Sequence, residues 1–321
     1  MDKTLLVYDS QANTVAAKLE GRSAGVEILV APDRETALSL APRASALMLL
    51  DTHLDAEVLK AASGLEWIQT LTTGTDHITR VPGFTGAITL TTARGIHGPQ
   101  MSELAFFLML SLLRDAPRLA ANQKAHQWER WPQALLWRKT VAVLGVGAIA
   151  EDFAKRAKAF DMTVIGISGS PRPAPFFDEM RPRSDLPAAV ADADFLVVFI
   201  PLSAETEKLV NGEVFKAMKP SAYLINLARG GVVDEAALLE ALSTGKIAGA
   251  GLDVFSTEPL PASSPIWEAP NAMLTPHIGG FADVIIDQGL SVLIANLELY
   301  ATGNAAQFAN VVRAGRLVPA A

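Results

Sequence analysis

The ten residues from Val141 to Ala150, VAVLGVGAIA, constrain the fold of this chain more than any other segment. Apolar residues that favour β-structure run directly into a Gly-x-Gly-x-x-Ala turn, and a segment compatible with a helix follows from Glu151. In a strand–turn–helix unit of this kind, Gly145 permits the tight bend and Gly147 lets a pyrophosphate group approach the backbone. The segment therefore predicts a dinucleotide-binding site.

The start of the predicted helix supplies the other half of this site. The backbone N–H groups of Ala148 and Ile149 would point at the phosphates, where the helix dipole also favours negative charge. Ala150 stands in the place of a third glycine and is still small enough for close packing of helix on strand. A plain glycine turn is the alternative, because such turns between strands and helices are common. The correct context on both sides favours the dinucleotide site.

Length and composition indicate an α/β protein of two domains. The chain has 321 residues, which is long for one core; half of the residues are apolar and 19% are charged. A net charge of −7 and scattered Lys and Arg residues argue against a nucleic-acid partner. The absence of cysteine excludes disulfides and thiolate ligands. We also expect no metal site, because no metal-ligand spacing such as His-x-x-x-His occurs among His53, His77, His97 and His126.

Two features of the sequence bear on where the protein resides. The longest nearly all-apolar run, Leu104 to Leu113, is too short to span a bilayer. The residues from Thr4 to Tyr8 indicate an opening strand rather than a signal peptide. We therefore expect no membrane partner and a cytoplasmic location.

Two series of alternating strands and helices are predicted along the chain. The first series carries no phosphate-binding glycine turn, and its strands are predicted at Leu5–Tyr8, Val26–Val30, Ala46–Leu50, Trp67–Leu71 and Ala87–Thr91. The second series contains six predicted strands, Val141–Leu144, Thr163–Ile167, Phe195–Ile200, Ala222–Asn226, Ala248–Val254 and Ala272–Leu274. Helices are predicted between them at 148–160, 204–218 and 234–244. Six strands with crossover helices are what a doubly wound dinucleotide-binding fold requires.

Three further segments connect or follow these series. A helical pattern from Met101 to Lys124 is nearly all apolar in its first half, as in a helix buried between domains or at a subunit interface. Gln127–Pro132 interrupts the pattern and is predicted to be a loop packed by its own indoles. The final helical pattern, Asp283–Tyr300, is long enough to return to the first sheet.

Together these patterns predict an α/β fold with a discontinuous first domain. A doubly wound Rossmann domain for the cofactor, residues 101–281, would be inserted into a flavodoxin-like substrate domain. Both chain ends, residues 1–100 and 282–321, would form that substrate domain.

The residues after the second strand of the Rossmann domain predict which dinucleotide binds. NAD-binding folds usually place Asp or Glu there for the ribose hydroxyls, whereas this chain has Ser168. Without a carboxylate a 2′-phosphate meets no repulsion, and the hydroxyls of Ser168 and Ser170 with the Arg172 guanidinium can hold it. We therefore expect NADP(H) to be preferred, with NAD(H) as the second option. The alternative is a solvated turn whose arginine points to water.

Three later strand ends carry the side chains that reduction of a 2-oxo acid needs. Arg229 could bind a substrate carboxylate and polarise the adjacent carbonyl, although an interdomain ion pair is the alternative. His277 could donate a proton to the forming alkoxide, and Glu258 could orient the imidazole and raise its pKa. Each residue alone is more often structural, but a cation, a proton donor and a hydride source at successive strand ends of one sheet predict catalysis.

These motifs resemble the D-isomer-specific 2-hydroxyacid dehydrogenase family over nearly the full chain, most densely from Leu144 to Gly280. The resemblance implies that Arg229 binds substrate and that His277, paired with Glu258, is the proton donor. It also implies that the backbone N–H groups near Thr73 and Gly74, in the segment Thr-Thr-Gly-Thr-Asp, meet the substrate carboxylate. Asp253 would hold the nicotinamide amide, and the remaining cofactor contacts would come from Pro201, Ala228 and Gly279.

The resemblance further implies an enzyme that reduces a small 2-oxo acid, with glyoxylate and hydroxypyruvate as candidate substrates, and that is specific for the D-isomer. It implies a homodimer built through helices of the cofactor domain, Met101–Arg114 among them. The chain departs from the family pattern at Ala150, at Ser168 and at Asp161, where a glycine commonly closes the helix. Two alternatives stay open: a non-catalytic dinucleotide-sensing dimer like the family's transcriptional co-repressors, and an amide- or phosphite-type substrate on the same scaffold.

Overall fold

The computed structural model describes residues 3–50, 54–313 and 316–317, which divide into two compact units. One unit is formed by both chain ends, residues 1–96 and 283–321, and the other by residues 97–282. Each unit is built on a seven-stranded sheet. The sheet of the second unit is fully parallel, and that of the first is parallel except at one edge. The expected α/β fold class, with a doubly wound domain inserted into a second parallel-sheet domain, is confirmed.

The first unit has a sheet with the strand order β14-β13-β5-β4-β3-β1-β2. Its strands are β1 Thr4–Tyr8, β2 Glu27–Ala31, β3 Ala46–Leu49, β4 Trp67–Thr70, β5 Thr89–Thr91, β13 Val311–Arg313 and β14 Arg316–Leu317. Its helices are α1 Ala12–Leu19, α2 Arg34–Leu40, α3 Ala56–Ala61, α4 Asp76–Thr79 and α11 Ile285–Ala301. The strands β1 to β5 are parallel, β13 pairs with β5 in the antiparallel direction, and β14 pairs antiparallel with β13 at the edge.

Core residues lie on both faces of the parallel part of this sheet, β1 to β5, as parallel pairing requires. Alternate residues of β1 point to opposite faces, so that Leu5 and Val7 join one core and Leu6 the other. Helices α1 and α11 cover the first of these cores. The chain's last long helix therefore completes the sheet with which the chain begins, as the sequence predicts.

The second unit has a fully parallel sheet with the order β12-β11-β10-β9-β6-β7-β8. Its strands are β6 Thr140–Leu144, β7 Thr163–Ser168, β8 Glu179–Pro182, β9 Phe195–Val198, β10 Tyr223–Asn226, β11 Gly249–Leu252 and β12 Ala272–Leu274. Its helices are α5 Gly98–Arg114, α6 Ala116–Lys124, α7 Ala148–Ala159, α8 Leu186–Val190, α9 Gly212–Ala217 and α10 Glu235–Ser243. The order changes direction beside β6, which is where a doubly wound sheet binds ligands.

The β6–α7 turn has the geometry that its glycines predict. Gly145 has a φ of +97°, and a Cβ at this position would lie 2.8 Å from the backbone nitrogen of Ile200. Gly147 is extended and precedes α7, and a Cβ there would meet nothing within 4 Å. The first glycine is therefore required by the protein itself, whereas the second leaves open space over the start of α7.

Two sequence-based predictions about helices are wrong. The pattern from Met101 to Lys124 is two helices, because Asp115 adopts a left-handed conformation with a φ of 53° and its side chain caps α6 by accepting from the Arg118 N–H. Pro117 suits the first turn of a new helix, since it lacks the N–H that a continuing helix would need. The helix predicted over 204–218 begins only at Gly212, because Val210 pairs in the extended conformation with Val233.

Two other features of the second unit differ from expectation. The sheet has a seventh strand, β8, and a following helix, α8, neither of which was predicted. The loop Gln127–Pro132 is not packed by its own indoles, because Trp128 is 92% exposed. Trp131 instead packs under the guanidinium of Arg118, with 4.1 Å between the Cζ atom and the ring centroid.

Within the described residues, no helix combines the length and apolar character needed to cross a membrane.

Alanine substitutions at the two glycines of the β6–α7 turn should differ in their effect on stability. We expect Gly145→Ala to lower the free energy of unfolding by about 2 to 4 kcal/mol, because it combines left-handed strain with a backbone clash. Gly147→Ala is the matched control, and it should change stability by less than about 1 kcal/mol. Urea denaturation of the two variants measures the difference, and equal losses of stability would contradict this account of the turn.

Candidate active site

Three neighbouring strands of the second unit bring Arg229, Glu258 and His277 to one edge of the sheet. These residues follow β10, β11 and β12 respectively, and the three strands pair in parallel. Their carboxyl ends therefore lie together, at the edge where open α/β sheets bind ligands.

Glu258 and His277 form a hydrogen-bonded ion pair. The Nδ1 atom of His277 lies 2.6 Å from Oε2 of Glu258. The other carboxylate oxygen, Oε1, accepts the backbone N–H of Phe255 at 2.8 Å, which fixes the orientation of the glutamate. Because Nδ1 is engaged, Nε2 is the ring nitrogen that can transfer a proton to a bound molecule. The His277 side chain is 45% exposed, so the proton can reach such a molecule.

The environment of the pair favours its charged form. The hydrogen bond to Glu258 and the charge of that carboxylate raise the pKa of His277 above its ordinary value, against the opposing effects of burial and of Arg229. Burial acts to raise the pKa of Glu258, but hydrogen bonds from His277 and the Phe255 N–H, with the positive charges of His277 and Arg229, bring it below its ordinary value. The imidazole therefore holds a proton at a higher pH than a free histidine does.

Asp253 anchors the loop that carries His277. Its carboxylate is buried and accepts the Thr275 hydroxyl at 2.6 Å and the backbone N–H groups of Ile278 and Gly279, each at 2.9 Å. Burial raises the pKa of Asp253, and these hydrogen bonds partly offset that effect. The loop holds His277 in a left-handed conformation with a φ of 55°. A residue other than glycine keeps this strained conformation only where the surrounding contacts enforce it.

The loop that carries Arg229 is fixed by Asn226 and Gly230. The buried Asn226 amide donates to the carbonyl of Arg229 and accepts the N–H of Ala228, each at 3.2 Å. The Arg229 guanidinium donates to the Ala228 carbonyl at 2.7 Å. A Cβ at Gly230 would lie 1.9 Å from the carbonyl carbon of Phe255, so the loops after β10 and β11 touch backbone to backbone. This contact sets the spacing between Arg229 and Glu258.

Several positioning residues around the site are absent from the sequence-based prediction. Besides Asn226, Gly230 and Thr275, they include Glu235, whose carboxylate accepts the Ser256 N–H at 2.7 Å and ties the Glu258 loop to α10. An asparagine at a strand end and a Gly-Gly pair are typical turn signals and point to local structure here. The partner of Glu235 is contributed by a distant loop, so no sequence pattern identifies it.

The residues predicted to bind the cofactor lie at the carboxyl ends of the same sheet. Those that follow β6 are Gly145, Gly147, Ala148 and Ile149. Those that follow or end β7 are Ser168, Ser170 and Arg172, where the Ser170 N–H donates to the Ser168 hydroxyl at 3.2 Å. The others are Pro201 after β9, Ala228 after β10, Asp253 after β11 and Gly279 after β12. Their contacts with a cofactor remain predictions.

The residues predicted to bind the substrate carboxylate, Thr73 and Gly74, lie in the first unit in the loop that follows β4. The hydroxyl of Thr72 shapes this loop, since it bonds to the Thr70 hydroxyl and donates to the Gly74 carbonyl, each at 2.8 Å. The role of Thr73 and Gly74 remains a prediction.

The buried His97 is not suited to the same chemistry. Burial lowers the pKa of His97 to about 4, so its ring is neutral and cannot serve as an acid near pH 7. His53 lies outside the described residues. Among the residues that the structure describes, no cluster of three His, Asp or Glu side chains could hold a metal ion.

Comparison with known proteins places the chain in a family. The profile described as "D-isomer specific 2-hydroxyacid dehydrogenase, NAD binding domain" matches residues 106–279, and that of the same family's catalytic domain matches residues 5–105. The chain therefore belongs to the D-isomer specific 2-hydroxyacid dehydrogenase family, as its motifs indicate.

Two relatives illustrate the range of the similarity. D-3-phosphoglycerate dehydrogenase of Mycobacterium bovis is 34% identical over 281 residues, which are 86% of this chain and 52% of that protein. The chain thus spans about half the length of the D-3-phosphoglycerate dehydrogenases that it matches. Glyoxylate reductase of Thermococcus litoralis is 34% identical over 284 residues and 85% of each chain.

Two solved structures show the same fold. A family protein from Aeromonas salmonicida has a TM-score of 0.88 at 34% identity, with 94% of this chain and 97% of that chain covered. NADPH-dependent glyoxylate/hydroxypyruvate reductase SmGhrA of Sinorhizobium meliloti, in complex with NADP and sulfate, has a TM-score of 0.83 at 27% identity. That alignment covers 98% of this chain and all of the other.

The protonation of His277 should depend on Glu258. We expect an NMR titration of the imidazole to give a pKa above the ordinary value of 6.5, and Glu258→Gln to lower it, because the variant removes the charge and weakens the hydrogen bond. The pair's contribution to stability is then complete between the ordinary pKa values of the two groups. It is lost as the pH rises through the raised pKa of His277 or falls through the lowered pKa of Glu258. An unchanged titration in Glu258→Gln would contradict the role given to this pair.

Proposed function

We propose that the protein is an oxidoreductase that transfers a hydride between NADP(H) and a small 2-oxo or 2-hydroxy acid, of which glyoxylate and hydroxypyruvate are the candidates. The observation that carries the proposal is the ion pair of His277 and Glu258, with Arg229 on the adjacent strand end. These are the proton donor, its orienting base and the carboxylate-binding cation that the reaction needs. Specificity for the D-isomer is proposed from the family alone.

The residues at the sheet edge fit a dinucleotide. The open space over Gly147 and the N-terminal turn of α7 suit a pyrophosphate, which the helix dipole and the N–H groups of Ala148 and Ile149 would stabilise. Gly145, Pro201, Ala228, Asp253 and Gly279 would line the rest of its path. When bound, the nicotinamide supplies the hydride that goes to C2 of the oxo acid.

The chain's own residues then perform two tasks during reduction. The guanidinium of Arg229 binds the carboxylate and polarises the 2-oxo group, so that negative charge can develop on the oxygen. His277 donates its Nε2 proton to that oxygen as the C–H bond forms, and Glu258 stabilises the imidazolium before the transfer. In the reverse direction the neutral imidazole accepts the hydroxyl proton. We propose that the N–H groups near Thr73 and Gly74 also bind the carboxylate.

NADP(H) is the proposed cofactor, with NAD(H) as the second option. The proposal is supported by the absence of an acidic side chain at Ser168 and by two hydroxyls and a cation in the segment Ser168–Arg172. The related Sinorhizobium meliloti reductase is named as NADPH-dependent, which agrees with this choice. The sensor alternative is not favoured, since the relatives are named for dehydrogenase or reductase activities.

We propose a homodimer that resides in the cytoplasm. Support for the dimer comes from large apolar side chains that the second unit exposes on and near α5. Phe107 is 52% exposed on α5, and Trp137 is 53% exposed. Contact with a second copy of the chain would bury them.

The direct test is NADPH oxidation by the purified protein with a panel of small 2-oxo acids, and with NADH in parallel. We expect turnover of at least one acid, and a loss of at least ~100-fold in kcat/KM for both Arg229→Ala and His277→Ala, because general acid catalysis and carboxylate binding contribute on that scale. His126→Ala, at an exposed histidine after α6, is the control and should keep native activity. Silence with every acid despite tight NADPH binding would instead indicate a dinucleotide sensor.

A further inference from the structure

We propose that Arg183, the first residue after β8, is a determinant of cofactor specificity that binds the 2′-phosphate of NADP(H). This inference rests on the proposed function, because it concerns the dinucleotide of that same site. It adds a residue from a different strand to the set Ser168, Ser170 and Arg172.

The register between β7 and β8 places Arg183 beside the segment Ser168–Arg172, which is proposed to bind the 2′-phosphate. These strands pair in parallel with Ile167 opposite Arg181 and Ser168 opposite Pro182. The residues that directly follow these two paired positions are Gly169 and Arg183, which therefore leave the sheet side by side at its carboxyl edge. This is the edge at which an open α/β sheet binds its dinucleotide, and the end of β7 is where such folds recognise the adenosine ribose.

The contact between the two residues is close. A Cβ at Gly169 would lie 3.5 Å from both Cζ and Nη2 of Arg183 and 3.9 Å from its Nε. The guanidinium thus packs against Gly169, which separates the hydroxyl-bearing Ser168 and Ser170. The side chain of Arg183 is 24% exposed, so it is held in place and still accessible from solvent.

A carboxylate already orients this guanidinium. The Nη2 atom of Arg183 donates to Oε2 of Glu205 at 3.0 Å, and the Glu205 side chain is 67% exposed. One contact at Nη2 leaves other N–H groups of the guanidinium for a second anion, since an arginine has five donors in a planar fork. A phosphate accepts such a fork with two hydrogen bonds, which a lysine cannot supply.

The combined arrangement has the composition of a phosphate site. Arg183 on one side and Arg172 in the exposed loop supply positive charge, and the two serines supply hydroxyls. The Glu205 carboxylate adds one negative charge, and its side chain is 67% exposed. Two guanidinium groups and two hydroxyls can recognise a 2′-phosphate.

Calorimetric binding of adenosine 2′,5′-bisphosphate and of 5′-AMP tests the role of Arg183 without any turnover. We expect Arg183→Gln to weaken binding of the bisphosphate by about 10- to 100-fold and to leave 5′-AMP within about 2-fold, because only the 2′-phosphate loses a charge-assisted hydrogen bond. Arg183→Lys should lie between native and Gln, since it keeps the charge and loses the fork. Thermal denaturation verifies that each variant is folded.

Arg181→Gln is the matched control. It removes the same charge two residues earlier, from a guanidinium that pairs with Glu179 at 2.7 and 2.9 Å rather than with the Ser168–Arg172 segment. It should change binding of the bisphosphate by less than about 3-fold. Glu205→Gln should leave 5′-AMP binding unchanged; a loss there would mean that the pair serves ribose groups common to both cofactors, and would overturn the proposal.

The outcomes separate this inference from the proposed function. If native protein binds NADPH, reduces a 2-oxo acid and prefers the bisphosphate over 5′-AMP, while Arg183→Gln keeps that preference, then only the role of Arg183 is wrong. If native protein shows no preference for the bisphosphate, the NADP(H) assignment fails and the role of Arg183 fails with it. If it binds no dinucleotide, the proposed function itself is wrong.

Discussion

Parallel pairing of β10, β11 and β12 is the constraint on which the candidate active site depends. Because these strands run in the same direction, the loops that carry Arg229, Glu258 and His277 leave the sheet at one edge. A change in direction of any one strand would move its functional side chain to the opposite edge of the sheet. The chemistry of the site is therefore a consequence of the doubly wound topology.

Buried contacts of neighbouring residues help to fix the loops at this edge. Gly230 lets the backbone of its loop touch that of Phe255, and Asp253 accepts three hydrogen bonds from the His277 loop. The reactive groups can then stay partly exposed, as His277 is, without losing their geometry. Such preorganisation is what the general acid proposed here needs, since proton transfer depends on hydrogen-bond distance.

The sequence predicts those parts of the molecule that depend on local pattern. The Gly145 turn, the strands of the second sheet from β6 to β12 apart from β8, and the return of the last helix to the first sheet all follow from periodicity and glycine position. Asp115 separates α5 from α6, where the apolar pattern alone would predict one continuous helix. The break could not be predicted, because the left-handed conformation of Asp115 and its hydrogen bond with the Arg118 N–H leave no trace in the hydrophobic pattern.

Contacts between distant segments could not be predicted in the same way. The edge strand β8 is short and polar, with the sequence Glu-Met-Arg-Pro, so no alternation of apolar residues indicates it. Without β8 there is no reason to place Arg183 beside Gly169. The pairing of His277 with Glu258 was inferred from their chemistry, whereas the supports from Asn226 and Glu235 depend on register and loop packing that only the folded chain defines.

The pH dependence of kcat/KM for reduction of a 2-oxo acid, in the native protein and in Glu258→Gln, tests the central claim most directly. If His277 is the proton donor and Glu258 raises its pKa, the native rate should fall as the pH rises through that raised pKa. The fall should move to lower pH in Glu258→Gln. A native rate that does not change across this range, or a variant profile at the same pH as the native one, would contradict the account.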